Sequence, residues 1–282
     1  MRLKRQTKKR IGNVLTEIIL IVLALIFLIP IVWMFAQSLK TPEQLANFRK
    51  LFDFPISFRA YAEGWDNGRF LVYIFNSIKI AVLCVTGTLI SCSLAGFAFA
   101  KFQVKGKGIL FMVVLSTMMV PTTVTLIPMY IFYSKLHWLN TITPLVLPAF
   151  FGASTYNIFL LRQFFAGLPN ELAESAQLDG AGWFRIFSRI YLPNAKPALL
   201  VVAINQLVFC WNDYMGPLIY LGKPEKFTIA LGLNAFKGEM GATMDIAPLM
   251  AMAVVTILPV LLLYLVFQKY FVEGVAATGI KG

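Results

Sequence analysis

Long uninterrupted apolar runs, separated by short polar stretches, set the rhythm of this chain. A helix of about 20 residues crosses a bilayer, and six runs reach that length. They predict spans near 14–37, 71–100, 109–133, 142–164, 197–221 and 247–269. Their hydrophobicity is continuous rather than alternating, which excludes a membrane β-barrel. The expected fold class is therefore an all-α polytopic membrane protein with six transmembrane helices.

The polar stretch between the fourth and fifth runs has structure of its own. Asn170, just after Pro169, can cap a short helix in which Leu172, Ala173 and Ala176 recur at helical spacing. Gly180 supplies the residue that turns the chain where a left-handed conformation would strain most others. A second short helix follows, with Trp183, Phe184, Phe187 and Ile190 as its apolar side, and Pro193 ends it. This predicts a bent pair of small amphipathic helices on the membrane face.

The residues Glu174, Ala176, Asp179, Gly180, Ala181, Phe187, Ile190, Leu192 and Pro193 resemble the EAA loop of bacterial ABC importer permeases. The likeness is greatest to the carbohydrate-uptake, maltose-permease group. Ser175 stands where that family usually has the first alanine, and it is nearly as small. Further likeness lies in Ala95, Gly96, Phe97 and Ala98 with Lys101 and Gly106, in Pro121 with the run from Leu126 to Tyr130, and in the closing run from Gln268 to Gly274. The resemblance covers roughly residues 71–282.

It implies a type I ABC importer permease fold whose polar loop is a cytoplasmic coupling helix seated on an ATPase subunit. Glu171, Glu174, Ser175, Ala176, Asp179, Gly180, Ala181, Phe187 and Pro193 are the residues it assigns to coupling. It implies these partners: a second related permease chain, two ABC ATPase subunits and an extracytoplasmic sugar-binding protein. ATP and magnesium would sit on the ATPases, with no cofactor in this chain. Residues 1–70 form a basic head, first helix and outer loop; 71–270 form the shared core with its coupling loop at 169–195; and 271–282 form a cytoplasmic tail.

Composition agrees with a membrane protein, at 59% hydrophobic, 13% charged and mean hydropathy +0.74. The first apolar run is too long for a secretion signal and has no small-x-small cleavage site, so it reads as a retained anchor. With a cytoplasmic N-terminus, fifteen Lys and Arg face four carboxylates inside, against nine and seven outside, giving +11 and +2. The positive-inside rule therefore places both termini and the 169–195 loop in the cytoplasm, in a bacterial cell membrane. The overall charge of +12 answers anionic lipid headgroups, and no basic stripe suits nucleic acid.

Candidate chemistry is sparse. Cys84, Cys92 and Cys210 fall within predicted spans, His137 is the lone histidine, and no metal-ligand spacing exists. No phosphate loop and no Ser/His/Asp constellation occur, so neither nucleotide hydrolysis nor intramembrane proteolysis is expected of this chain.

Charged side chains inside spans are expensive; Lys79 lies near an outer end and can snorkel, which leaves Asp213. On a continuous helix Asn205, Phe209 and Asn212 share one face, Gln206 and Asp213 an adjoining one, with Trp211 and Tyr214 flanking. Amides and a carboxylate for hydroxyls, with flat rings for C–H faces, suit a sugar; interhelical hydrogen bonding is the plainer use of the same groups. Pro121 and Pro128, with Thr125 between them, either line a cavity or kink a helix; Pro259 reads as a passive kink.

The expected function is a carbohydrate importer permease subunit working by alternating access. A permease for glycerol phosphate, polyamine or amino acid, or an ion-coupled secondary transporter, remains the alternative.

Overall fold

In the computed structural model the described backbone covers residues 2–45, 51–67, 69–240 and 245–279, with side chains described for 12–45, 51–66, 69–238 and 245–268. The side chains of the basic head, of Lys269 and of the closing run beyond it lie outside the described residues.

The helices run in order α1 Arg2–Ser38, α2 Pro42–Leu45, α3 Arg59–Asn67, α4 Phe70–Lys101, α5 Lys107–Ser116, α6 Thr122–Lys135, α7 Thr143–Phe150 and α8 Thr155–Gly167. They continue with α9 Glu171–Leu178, α10 Trp183–Ile186, α11 Leu192–Asn194, α12 Lys196–Asn212, α13 Met215–Tyr220, α14 Ile229–Met240 and α15 Ala247–Gly279. No strand occurs among the described residues.

Four helical stretches are long and apolar enough to cross a membrane: Gly12–Ser38, Phe70–Lys101, Thr143–Gly167 and Ala247–Gln268. Two bent pairs join them, Lys107–Met119 with Thr122–Lys135 at 97° and Trp183–Asn194 with Lys196–Asn212 at 78°. Counting each bent pair as one crossing gives up to six spans; the fifth predicted span, 197–221, takes in only the Lys196–Asn212 half of its pair and runs on through α13. The helix α15 passes Pro259 and runs on to Gly279, beyond the predicted end at 269.

The chain forms two compact units. The first holds Met1–Gly68 and Leu233–Ile257. Its long α1 buries no side chain of its most apolar window, so those residues face outward, as lipid-facing ones do. Below its end, Ser57 N–H donates to Leu39 O at 2.9 Å, and Ser38 Oγ lies 2.9 Å from the Tyr61 hydroxyl. Arg59 bonds Glu63 at 2.6 Å and pairs with Asp245, which also accepts from Ala247 N–H at the start of α15.

The second unit holds Arg69–Gly232 and Leu258–Gly282, with α4 at its centre, packed by α7, α8 and α12. Gly96 lets α4 and α8 touch: a Cβ there would lie 3.0 Å from Arg162 N and from Leu161 Cβ. In lipid such close approach, rather than hydrophobic drive, holds helices together.

The fourth span was expected to be continuous, and it is broken at residues 151–154. Gly152 takes φ 72°, and the N–H groups of Phe151 and Ala153 both turn back to Pro148 O, at 3.0 and 3.3 Å. Ala149 O, freed by the break, accepts from Ser91 Oγ on α4 at 2.7 Å, and Cys92 Sγ adds a weak second bond at 3.6 Å to Ser154 O, which already accepts the Ile158 N–H. Broken backbone is tolerated at membrane depth only when such partners exist.

Candidate functional site

The segment 169–195 lies between α8 and α12, and its two faces differ sharply. Toward the bundle it buries Ala173, Ile186, Phe187, Tyr191 and Ala195, with Ala176, Ala181 and Ile190 packed against them. Away from it stand Glu171, Glu174, Ser175, Asp179 and Gly180, all exposed. Of the residues assigned to coupling, Ala176, Ala181 and Phe187 thus anchor the segment, the acids and Ser175 form its outer surface, and Pro193 is exposed at its end.

The turn is a Schellman motif centred on Gly180 at φ 77°. Gly180 N–H donates to Gln177 O and Ala181 N–H to Ala176 O, each at 2.9 Å, closing the orphan carbonyls of α9. Glu171 and Glu174 fall in the first turn of α9, where the helix dipole favours negative charge.

Three details differ from the sequence reading. Asn170 occupies the N-cap position, yet its side chain makes no capping bond, because its Oδ1 accepts from Lys101 Nζ at 2.7 Å. Pro193 does not end the second helix: residues 187–191 widen into a π turn, with Leu192 N–H reaching Phe187 O, and the helical path continues to Asn194. The 78° bend comes only after it. Ile186, Phe187 and Tyr191 are buried, the widened turn bringing Tyr191 round to the side of Phe187, while Phe184 on the preceding regular turn points outward at 77% exposure. Leu178 joins it at 91% exposure, a residue the sequence pattern did not single out. Leu178 and Phe184 are the most exposed large apolar side chains of the segment, above Trp183 at 42% and Leu172 at 39%, and such a surface is what a partner protein would cover.

The segment is bolted to the end of α4. Phe97, 4% exposed, meets the rings of Tyr191 and Phe187 at 5.1 Å, Phe165 at 5.9 Å and Trp183 at 6.3 Å. Phe102 packs edge-on against Trp183 at 5.0 Å.

The candidate pathway residues are less united. Helix α12 ends at Asn212, so Asp213 leaves the face shared with Gln206 and adopts an extended ψ of 113°. Its Oδ1 accepts from Gly216 N–H at 3.1 Å, capping α13. Asn212 Nδ2 donates to its own helix at Val208 O, 3.0 Å away, and Gln206 Nε2 to Cys210 Sγ at 3.4 Å. Trp211 is buried, Asn205, Gln206 and Tyr214 are half-buried, and Phe209 is exposed.

Pro121 sits at the third-span break as N-cap of α6, where Thr125 Oγ1 bonds Thr122 O at 2.9 Å; both residues are exposed. The end of α6 meets that of α13 through Tyr133 and Tyr220, 5.3 Å apart.

An open cavity of about 630 Å³ lies at the fourth-span break, lined by Ser91, Thr117, Phe150, Phe151 and Thr155 among others. The hydroxyls of Thr117 and Thr155 are 2.9 Å apart. No proline falls within residues 151–154 themselves; the local signals are Gly152 and, three residues before the break, Pro148.

Residues 87–276 match the family described as the binding-protein-dependent transport system inner membrane component. The chain belongs to this family. It is 35% identical over 264 residues to the arabinooligosaccharides transport system permease protein AraQ of Bacillus subtilis, covering 92% of each chain. It is 30% identical over 277 residues to the trehalose/maltose transport system permease protein MalG of Thermococcus litoralis, covering 96% of this chain and 99% of that one. A crystal structure of a bacterial ABC transporter involved in the import of the acidic polysaccharide alginate superposes with TM-score 0.82 at 26% identity, covering 93% of this chain and 97% of its counterpart.

The protein is thus a multi-pass membrane permease subunit of an ABC importer, a class that works with ATPase and binding-protein components. Membership sets aside the ion-coupled secondary transporter.

Proposed function

We propose that this permease subunit forms half of the translocation path of an ATP-driven carbohydrate importer. It pairs with a second related permease chain, two ABC ATPase subunits on the cytoplasmic side and a sugar-binding protein outside. Nucleotide and magnesium bind on the ATPases, and both termini of this chain are cytoplasmic, as the charge asymmetry favours.

The observation that carries the reading is the two-faced segment 169–195. An inner face locked into the bundle and an outer face bearing Leu178, Phe184 and four polar or acidic side chains suit a rigid lever gripped by another protein. Closure of the ATPase pair would move this lever, and the broken helices would rock between inward- and outward-facing states. The names of relatives, for arabinooligosaccharides and for trehalose or maltose, support a sugar or oligosaccharide as cargo. The Asn205–Tyr214 stretch, with Pro121 and Thr125, and the cavity bearing Thr117 and Thr155, supply hydroxyl-binding groups beside aromatic rings.

The test is uptake by proteoliposomes holding the whole transporter. Labelled arabino- and malto-oligosaccharides are offered with the binding protein outside and ATP inside. Accumulation of at least one, strictly dependent on ATP, is expected; uptake driven by a sodium or proton gradient without ATP would refute the reading. In the same vesicles Asp213→Asn keeps an acceptor for Gly216 but removes the charge. Uptake at subsaturating sugar should fall about tenfold if the carboxylate meets cargo hydroxyls. Wild-type uptake would reduce Asp213 to its capping bond.

A further inference from the structure

Lys101, at the C-terminal end of α4, serves two chain segments at once. Its Nζ donates to Leu168 O and to Asn170 Oδ1, both at 2.7 Å, one on each side of Pro169. The same nitrogen stands 5.1 Å from the centre of the Tyr191 ring, whose hydroxyl donates to Pro169 O at 3.2 Å. The oxygens of three consecutive residues, Leu168, Pro169 and Asn170, are therefore held by one lysine at the end of α4 and one tyrosine from the π turn of the segment itself. Five residues earlier on α4, Gly96 lies against Leu161 and Arg162 of α8.

An ammonium carries three donors on a flexible stem, so it can reach acceptors on two segments that a single backbone group could not join. Hydrogen bonds with one charged partner are roughly twice as strong as neutral ones. Packing alone does not require this lysine, since Phe97 and Phe102 already fill the ring cluster beside it.

We propose that Lys101 is the positioning residue that transmits displacement of the 169–195 segment to the second span. The inference rests on the coupling role assigned above to that segment. With the lysine in place, α4, the start of α9 and Tyr191 move as one body. Without its donors, the start of α9 can pivot about Pro169 while Phe97 keeps only the π turn packed on α4, and ATP is consumed with less movement of cargo.

The readout is sugar transported per ATP hydrolysed, measured in proteoliposomes holding the complete transporter. Lys101→Met preserves the apolar stem and removes the donors. It should lower that ratio about tenfold, the factor for one charge-assisted bond, while ATP hydrolysis persists. Lys101→Arg keeps donors and charge and should restore at least about half of the ratio. A wild-type ratio in Lys101→Met, or equal loss in both variants, overturns the inference.

Should the methionine variant fail to assemble, Asn170→Ala removes one acceptor and leaves the rings intact. A fall of about threefold is then expected, and an unchanged ratio overturns the proposal. A cysteine at Glu174 separates the two levels. If it never cross-links to an ATPase chain with Lys101 intact, the coupling reading itself fails. Cross-linking together with an unchanged ratio in Lys101→Met removes only the role of Lys101.

Discussion

Replacing Leu178 and Phe184 together by aspartate should strip the ATPase chains from the purified transporter while the permease pair stays folded. Both side chains point away from the bundle, at 91% and 77% exposure, so neither substitution opens a cavity inside this chain. A large apolar side chain seated in a partner's cleft contributes about 2–4 kcal/mol by truncation, and a carboxylate left there without a partner adds a desolvation penalty. Two such sites weaken association by at least about a thousandfold, taking a nanomolar complex to micromolar or beyond. Gel filtration in detergent should therefore show the ATPases eluting separately, with binding-protein-stimulated ATP hydrolysis lost. Co-elution at wild-type stoichiometry would mean that the ATPases grip some other surface.

Phe97→Ala should have the largest effect on stability of any single change near the C-terminal end of α4. Phe97 is 4% exposed, and five rings surround it, including the three of α10 and the π turn, Trp183, Phe187 and Tyr191. Large-to-small substitution of a buried phenylalanine costs about 3–5 kcal/mol, partly from the void left behind. The melting temperature of the detergent-solubilised protein should fall by roughly 10 °C, given about 2–4 °C per kcal/mol for a chain of this size. Phe97→Leu, which leaves a smaller void, should lose less than half as much. A melting temperature unchanged in Phe97→Ala would show that the segment is held elsewhere. Uptake should fall with stability in these variants, whereas Lys101→Met should separate uptake from ATP use.

The two substitutions also mark how far the sequence alone could be read. That Gly180 turns the segment was legible, because a helix C-terminus followed by a left-handed residue is a local event that glycine accommodates. The break at Pro121 was legible for a similar reason, since proline removes a donor wherever it sits. The outward turn of Phe184 was not. Which side of α10 packs inward is set by Phe97 meeting Phe187 and Tyr191, and the π register that brings Tyr191 to that side is not anticipated by regular helical spacing. Nor was the fate of Asn170 legible: the capping role read from its position was lost to a lysine 69 residues away. Asp213 was placed on a helix face that ends one residue before it.

By itself the sequence determined that this is a helical membrane protein with a structured polar segment between its fourth and fifth apolar runs. A backbone crossing lipid must satisfy its own hydrogen bonds, so run length and continuity suffice for that conclusion. Only the tertiary structure decided where the fourth span breaks, which face of the 169–195 segment is buried, and what Lys101 holds. Each depends on a donor, acceptor or ring supplied by a distant part of the chain: Ser91 for the carbonyl freed at Ala149, Phe97 for the buried rings, Leu168 and Asn170 for the lysine. Such pairings arise from helices meeting in space, and no local pattern encodes which ones meet.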